Sequence, residues 1–111
     1  KRFRDLVYID DVAETYFNLA QQNFYNGPIN LGSGQKTTIR DLILLISKYM
    51  EIGDDLEVVE SAGTPGDIFG IYSDLSLLKK VTNRDNFVLP KVGVKKFVEW
   101  AIKDSVGLQK R

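Results

Sequence analysis

The stretch Arg4-Asp5-Leu6-Val7-Tyr8-Ile9-Asp10-Asp11-Val12-Ala13 contains the local signals that decide the fold. Its apolar run, residues 6–9, predicts a short buried strand. Asp10-Asp11 follows, where an amphipathic pattern begins, and an aspartate there can cap a helix by accepting its unpaired backbone N–H groups. We therefore expect a strand that starts beside Arg4, a tight turn, and a helix capped by Asp10 or Asp11.

Outward from this stretch, strand-like and helical segments alternate, and two helices close the chain. This order predicts a mixed α/β fold in which helices pack on a small sheet, formed as a single domain over residues 1–111. The predicted helices are 12–22, 39–50 (capped by Thr37 or Thr38), 75–81 (capped by Asp74) and one that starts near Gly93 or Val94; the further predicted strands are 29–31 and 56–59.

The composition excludes several classes of function. The chain of 111 residues has 15 basic and 15 acidic side chains and no net charge, which argues against a nucleic-acid-binding protein. It contains neither cysteine nor histidine, so disulfides, thiolate metal sites and histidine-based catalytic triads are excluded within it. No apolar run approaches the roughly 18 residues of a membrane span, so no membrane association is expected.

Two charged residues are candidates for ligand binding. Arg4 is either a solvated or ion-paired arginine or an anion ligand, since a guanidinium group matches the geometry of phosphate. Asp67 ends the loop 61–67, after Pro65-Gly66. It is either a turn residue that bonds nearby backbone or a carboxylate that accepts hydrogen bonds from a ligand's hydroxyl groups.

A third candidate, Gly32-Ser33-Gly34, lies between a predicted strand and a predicted helix. Such a turn can cradle a dinucleotide's pyrophosphate. The complete motif needs a third glycine at position 37, which is Thr37 here, so a structural strand-to-loop turn is the favoured interpretation.

Taken together, the motifs resemble the C-terminal part of the NAD-dependent epimerase/dehydratase family. These extended short-chain dehydrogenases act on nucleotide sugars, as UDP-glucose 4-epimerase does. The resemblance covers nearly the whole chain and lies in the order of several motifs rather than in any one of them. The matching motifs are the opening stretch 4–13, Ile29-Asn30-Leu31-Gly32-Ser33-Gly34, Thr38-Ile39-Arg40-Asp41-Leu42, Pro65-Gly66-Asp67 and Tyr72-Ser73-Asp74.

The resemblance implies specific roles for the two charged candidates. Arg4 would bind the diphosphate of a nucleotide sugar, and Asp67 would contact its ribose. Many family members carry a second phosphate-binding arginine three residues before this aspartate, where the present chain has Thr64. The resemblance also implies a cytoplasmic parent enzyme, expected to be a homodimer.

The family's cofactor-binding half is not represented in this sequence. No tyrosine is followed four residues later by lysine, as the family's catalytic Tyr-x-x-x-Lys pair requires. We therefore expect a substrate-binding C-terminal lobe that lacks its Rossmann half. NAD would be bound elsewhere in the parent, and the fragment itself would not be catalytic. The start at Lys1, within a strand-like pattern, also suggests a piece of a longer protein.

Two alternatives remain open at this point. The parent could be a nucleotide-sugar 4,6-dehydratase or a reductase rather than an epimerase. The chain could also be a non-catalytic binding or interaction module.

Overall fold

The computed structural model describes residues 2–22 and 26–109. Over these ranges the chain forms four α-helices and a single two-stranded sheet, so the predicted mixed α/β class is confirmed, although the sheet is minimal. In chain order the elements are β1 (Phe3–Arg4), α1 (Ile9–Ala20), β2 (Thr37–Thr38), α2 (Ile39–Tyr49), a 3₁₀ turn (Gly53–Asp55), α3 (Ser76–Thr82) and α4 (Pro90–Gln109).

The sheet lies earlier in the opening stretch than predicted. β1 pairs antiparallel with β2, with Phe3 opposite Thr38 and Arg4 opposite Thr37. The predicted strand at 6–9 is wrong: residues 6–8 have no regular structure, and Ile9 already begins α1. Side chains of this apolar run instead line a groove with Leu42, Ile46 and Phe97. The apolar run therefore lines this groove and does not join the sheet.

One of the two predicted helix caps on α1 and α2 is confirmed. Thr38 Oγ1 accepts a hydrogen bond from the Asp41 N–H at 3.0 Å and donates one to Asp41 Oδ2 at 2.6 Å. The cap predicted for α1 is wrong, because that helix begins after Tyr8 without a side-chain cap. Asp11 instead turns into the protein, where it is 2% exposed.

Two predicted strands and the start of the last helix also differ from the prediction. Residues 29–31 and 56–59 form no strand, and Val59 is 80% exposed. Its β-branched side chain favours extended backbone but has no neighbouring strand to pack against. The last helix starts at Pro90 rather than near Gly93, since proline suits a first turn whose N–H groups have no helical partner.

The short helix α3 begins one residue later than predicted. Its N-cap residue is Leu75, which makes no side-chain capping bond. The carboxylate of Asp74 instead accepts from the Ser76 N–H at 2.9 Å and from the Ser76 hydroxyl at 2.6 Å. Asp74 therefore still satisfies donors at the start of α3, as predicted, although it lies one position before the observed N-cap residue.

The buried core is small for a chain of this length. Helix α1 packs against α3 and α2 against α4, and among the described residues the buried apolar side chains are Leu75, Leu78, Val81 and Val98. The radius of gyration is 17.2 Å, compared with about 13 Å for a compact chain of this size. An apolar groove of about 350 Å³ lies between the residues after β1 and helices α2 and α4. Much apolar surface is therefore left uncovered.

Candidate functional site

The strand β1 separates two kinds of side chain. Successive residues of an extended chain point to opposite sides, so Arg2 and Arg4 share one side and Phe3 takes the other. The Phe3 ring packs against Phe69 at 6.1 Å between ring centroids. It also lies 6.4 Å from the Tyr72 ring. The two arginines both reach Asp67.

Arg2, Arg4 and Asp67 form a charged cluster, which we call the arginine clamp. Arg4 Nη2 donates to Asp67 Oδ1 at 2.8 Å, and Arg2 Nη1 donates to Asp67 Oδ2. About a third of each side chain remains exposed, so the cluster is open to a ligand. Two guanidinium groups and one carboxylate leave it with a net charge of +1.

A tight turn carries Asp67 to this position. Proline followed by glycine at the two central positions is typical of a type II β-turn, which requires a positive φ at the second of them. Gly66 has a φ of 80°, and the Asp67 N–H donates to the Thr64 carbonyl at 3.2 Å. The chain then runs parallel to β1, where the Phe3 N–H donates to the Phe69 carbonyl at 3.3 Å.

The structure therefore brings together the two residues selected from the sequence, Arg4 and Asp67, which are 63 positions apart. Their proposed contacts with a diphosphate and a ribose remain predictions. Arg2 was not selected from the sequence. The signal that could have identified it is its alternation with Arg4, which places two like charges on one side of an extended segment.

The turn Gly32-Ser33-Gly34 binds an anion, but that anion is the protein's own Asp5. Asp5 Oδ1 accepts from the Ser33 N–H and hydroxyl, both at 2.7 Å, and Oδ2 accepts from the Gly34 N–H at 3.0 Å. A fourth hydrogen bond comes from the Ser73 N–H at 2.9 Å. The turn's donors are thus already used, and it does not fit a cofactor pyrophosphate.

These contacts also set the charge state of Asp5. Partial burial acts to raise the pKa of its carboxyl group. The hydrogen bonds from Ser33, Ser73 and Gly34 together outweigh burial and lower the pKa below the ordinary value of 3.8. Asp5 is therefore a charged structural hub that ties three segments together.

Residues 2–22 and 26–109 offer neither a metal site of clustered side chains nor a membrane-spanning helix. This part of the chain contains no group of three or more histidine, cysteine, aspartate or glutamate side chains that could hold a metal ion. None of its helices is both long and apolar enough to cross a membrane.

Comparison with known structures identifies the class of fold. The chain matches the NAD-dependent NDP-hexosamine 5,6-dehydratase TunA, involved in tunicamycin biosynthesis, with a TM-score of 0.78 and 24% sequence identity. The match covers 92% of this chain and 33% of the TunA chain. The fold is thus similar to that of about a third of the TunA chain.

Comparison with curated sequences is more specific. The chain is 32% identical over 97 residues to a protein of Methanocaldococcus jannaschii named "Putative UDP-glucose 4-epimerase", and 27% identical over 101 residues to an uncharacterised protein of the same organism. These matches cover 87% and 91% of this chain, respectively, but only 30% of either relative. No protein-family model matches the chain.

The two kinds of similarity agree. The sequence similarity supports a relationship to the epimerase/dehydratase superfamily, as the sequence motifs had indicated, and the structural similarity supports the fold. The chain corresponds to about a third of each relative's length, so the activity of a whole protein is a matter for proposal.

Proposed function

We propose that this chain is the nucleotide-sugar-binding C-terminal domain of an NAD-dependent nucleotide-sugar epimerase similar to UDP-glucose 4-epimerase. The observation that carries the proposal is the exposed arginine clamp, in which Arg4 and Asp67 lie side by side. A guanidinium group suits a phosphate, and a neighbouring carboxylate suits the hydroxyl groups of a ribose. The chain would hold the nucleotide so that the sugar is presented to a cofactor bound elsewhere in the parent protein.

The epimerase is preferred to a dehydratase or a reductase because the sequence similarity is to an epimerase-named protein at 32% identity. The similarity to TunA supports the fold and an NAD-dependent parent, without choosing the reaction. The contribution of this domain would be orientation of the substrate, which can account for a large part of a lowered reaction barrier.

The uncovered apolar groove supports the view that further polypeptide packs on this domain in the parent protein. Large exposed apolar patches are rare on proteins that function alone. The cytoplasmic location and the homodimeric parent, both implied by the sequence resemblance, remain predictions.

Replacing Arg4 with alanine tests the diphosphate contact. We expect UDP to bind about tenfold more weakly to Arg4→Ala, because a charge-assisted hydrogen bond to phosphate is lost. Titration calorimetry with UDP measures the change. Arg40→Ala is the matched control, since Arg40 pairs with Glu60 and three quarters of its side chain is exposed. Equal UDP affinity in Arg4→Ala and the unsubstituted chain would refute the assignment and favour a non-catalytic module.

Replacing Asp67 with alanine tests the ribose contact. UDP, with its 2′-hydroxyl, should lose several-fold in affinity, whereas 2′-deoxy-UDP should lose less, because only UDP offers that hydroxyl to the carboxylate. The ratio of the two dissociation constants is the informative quantity. An unchanged ratio would mean that Asp67 acts only by holding the two arginines in place.

A further inference from the structure

We infer that Arg2 is the second cationic ligand of the bound diphosphate. It would take the role of a second phosphate-binding arginine, which the uncharged Thr64 cannot fill. The inference rests on the proposed nucleotide-sugar function and names a residue that sequence reasoning did not select. In this arrangement Arg2 and Arg4 each face one phosphate group, and Asp67 holds the two guanidinium groups side by side.

Arg2 and Arg4 differ in how many of their N–H donors are already used within the described residues. A guanidinium group has five N–H donors. Arg4 donates to the Phe3 carbonyl at 2.8 Å, to the Ile68 carbonyl at 3.1 Å and to Asp67. Arg2, within the described ranges, donates to Asp67 alone. Arg2 therefore keeps more of its N–H groups available for an incoming anion than Arg4 does.

The Arg2 side chain lies close to the loop that contains Thr64. A Cβ atom added to Gly63 would collide with Nη2 of Arg2, so the guanidinium group lies directly against the loop backbone beside Thr64. Arg2 therefore places a positive charge beside Thr64, which carries none. Glycine at position 63 leaves the space that this close approach requires.

The charge of the arginine clamp also matches that of a diphosphate better with two arginines than with one. The diphosphate bridge of a nucleotide sugar carries one negative charge on each phosphate group. One arginine partly neutralised by Asp67 matches this ligand poorly, whereas two arginines sharing one carboxylate keep a net positive charge. Asp67 accepts a hydrogen bond from each arginine, one on each carboxylate oxygen. It therefore orders both guanidinium groups before the ligand binds.

The test compares UDP with UMP, which differ by one phosphate group. In Arg2→Gln, UDP should bind about tenfold more weakly, while UMP should change by less than about threefold, since one phosphate can still use Arg4. Arg2→Lys should lose an intermediate amount, because lysine keeps the charge without the planar fork. Arg40→Gln is the matched control and should leave both affinities unchanged.

A double variant distinguishes loss of the Arg2 contact from general damage to the site. Adding Thr64→Arg to Arg2→Gln returns a guanidinium group to the same part of the loop, and we expect it to recover most of the UDP affinity. Circular dichroism and the unfolding midpoint of each variant show whether the fold is intact.

The outcomes distinguish this inference from the proposed function. If Arg4→Gln weakens UDP binding and Arg2→Gln does not, the role of Arg2 is overturned and the proposed function stands. If Arg2→Gln weakens UDP and UMP equally, Arg2 is not a ligand of the second phosphate. If the unsubstituted chain binds UDP no better than UMP, both the proposed function and this inference fail.

Discussion

Asp11→Ala is expected to lower the free energy of unfolding by about 3–5 kcal/mol, the cost of breaking a buried ion pair from one side. Asp11 is 2% exposed and pairs with Arg84, whose side chain is 16% exposed. It also accepts a hydrogen bond from the Val88 N–H at 2.7 Å. The variant would leave the Val88 N–H without its acceptor and Arg84 with only the exposed carboxylate of Glu14 as an ionic partner.

Chemical denaturation measures this loss, and Glu14 provides the control within the same cluster. Glu14 pairs with Arg84 at 3.0 Å, but its side chain is 66% exposed. Glu14→Gln should therefore cost less than about 1 kcal/mol, because exposed ion pairs contribute little. Similar losses in the two variants would show that Asp11 is not a buried anchor between α1 and the segment before α4.

Asp5→Ala is expected to cost about 3 kcal/mol, because four hydrogen bonds to one charged acceptor are lost and their donors must find other partners. The donors come from the turn at Ser33-Gly34 and from Ser73, so the loss affects segments far apart in the sequence. Ser33→Ala removes only the hydroxyl contact at 2.7 Å and should cost clearly less. The free energies of unfolding of the two variants give the comparison.

The same carboxylate gives a pH prediction with a definite sign. The folded-state pKa of Asp5 lies below its ordinary value of 3.8, so folding favours the charged form. Its stabilising contribution is complete above that ordinary value and is lost as the pH falls through the folded-state pKa. The stability difference between the unsubstituted chain and Asp5→Asn should therefore be largest near neutral pH and shrink in strong acid. A difference that stays constant on acidification would contradict the charged role of Asp5.

The sequence predicted the parts of the fold that depend on local chemistry. Thr38 caps α2 because the capping bond is made within four residues of the chain. The loop that ends at Asp67 was likewise predicted, and within it Pro65-Gly66 forms a tight turn. Such contacts can be inferred without knowing what lies across the molecule.

The sequence did not predict the contacts that depend on distant partners. Asp11 satisfied a local explanation as a helix cap, while its actual partner, Arg84, is 73 positions away. The strands were misplaced because each named strand has only two residues, too few for an alternating pattern to be visible. Arg2 was missed for a similar reason, since an exposed arginine has no distinctive local signal until the loop that carries Asp67 is placed beside it.

The pairing of β1 with β2 ties the ligand-facing surface to a helix. The Ile39 N–H at the start of α2 donates to the Arg2 carbonyl at 3.0 Å, and Phe3 lies opposite Thr38, the residue that caps α2. A slip of this strand by one residue would exchange its two sides. Phe3 would then face Asp67 and the arginines would point toward Tyr72. The start of α2 therefore fixes the register that keeps positive charge, rather than an aromatic ring, beside Asp67 at the proposed nucleotide site.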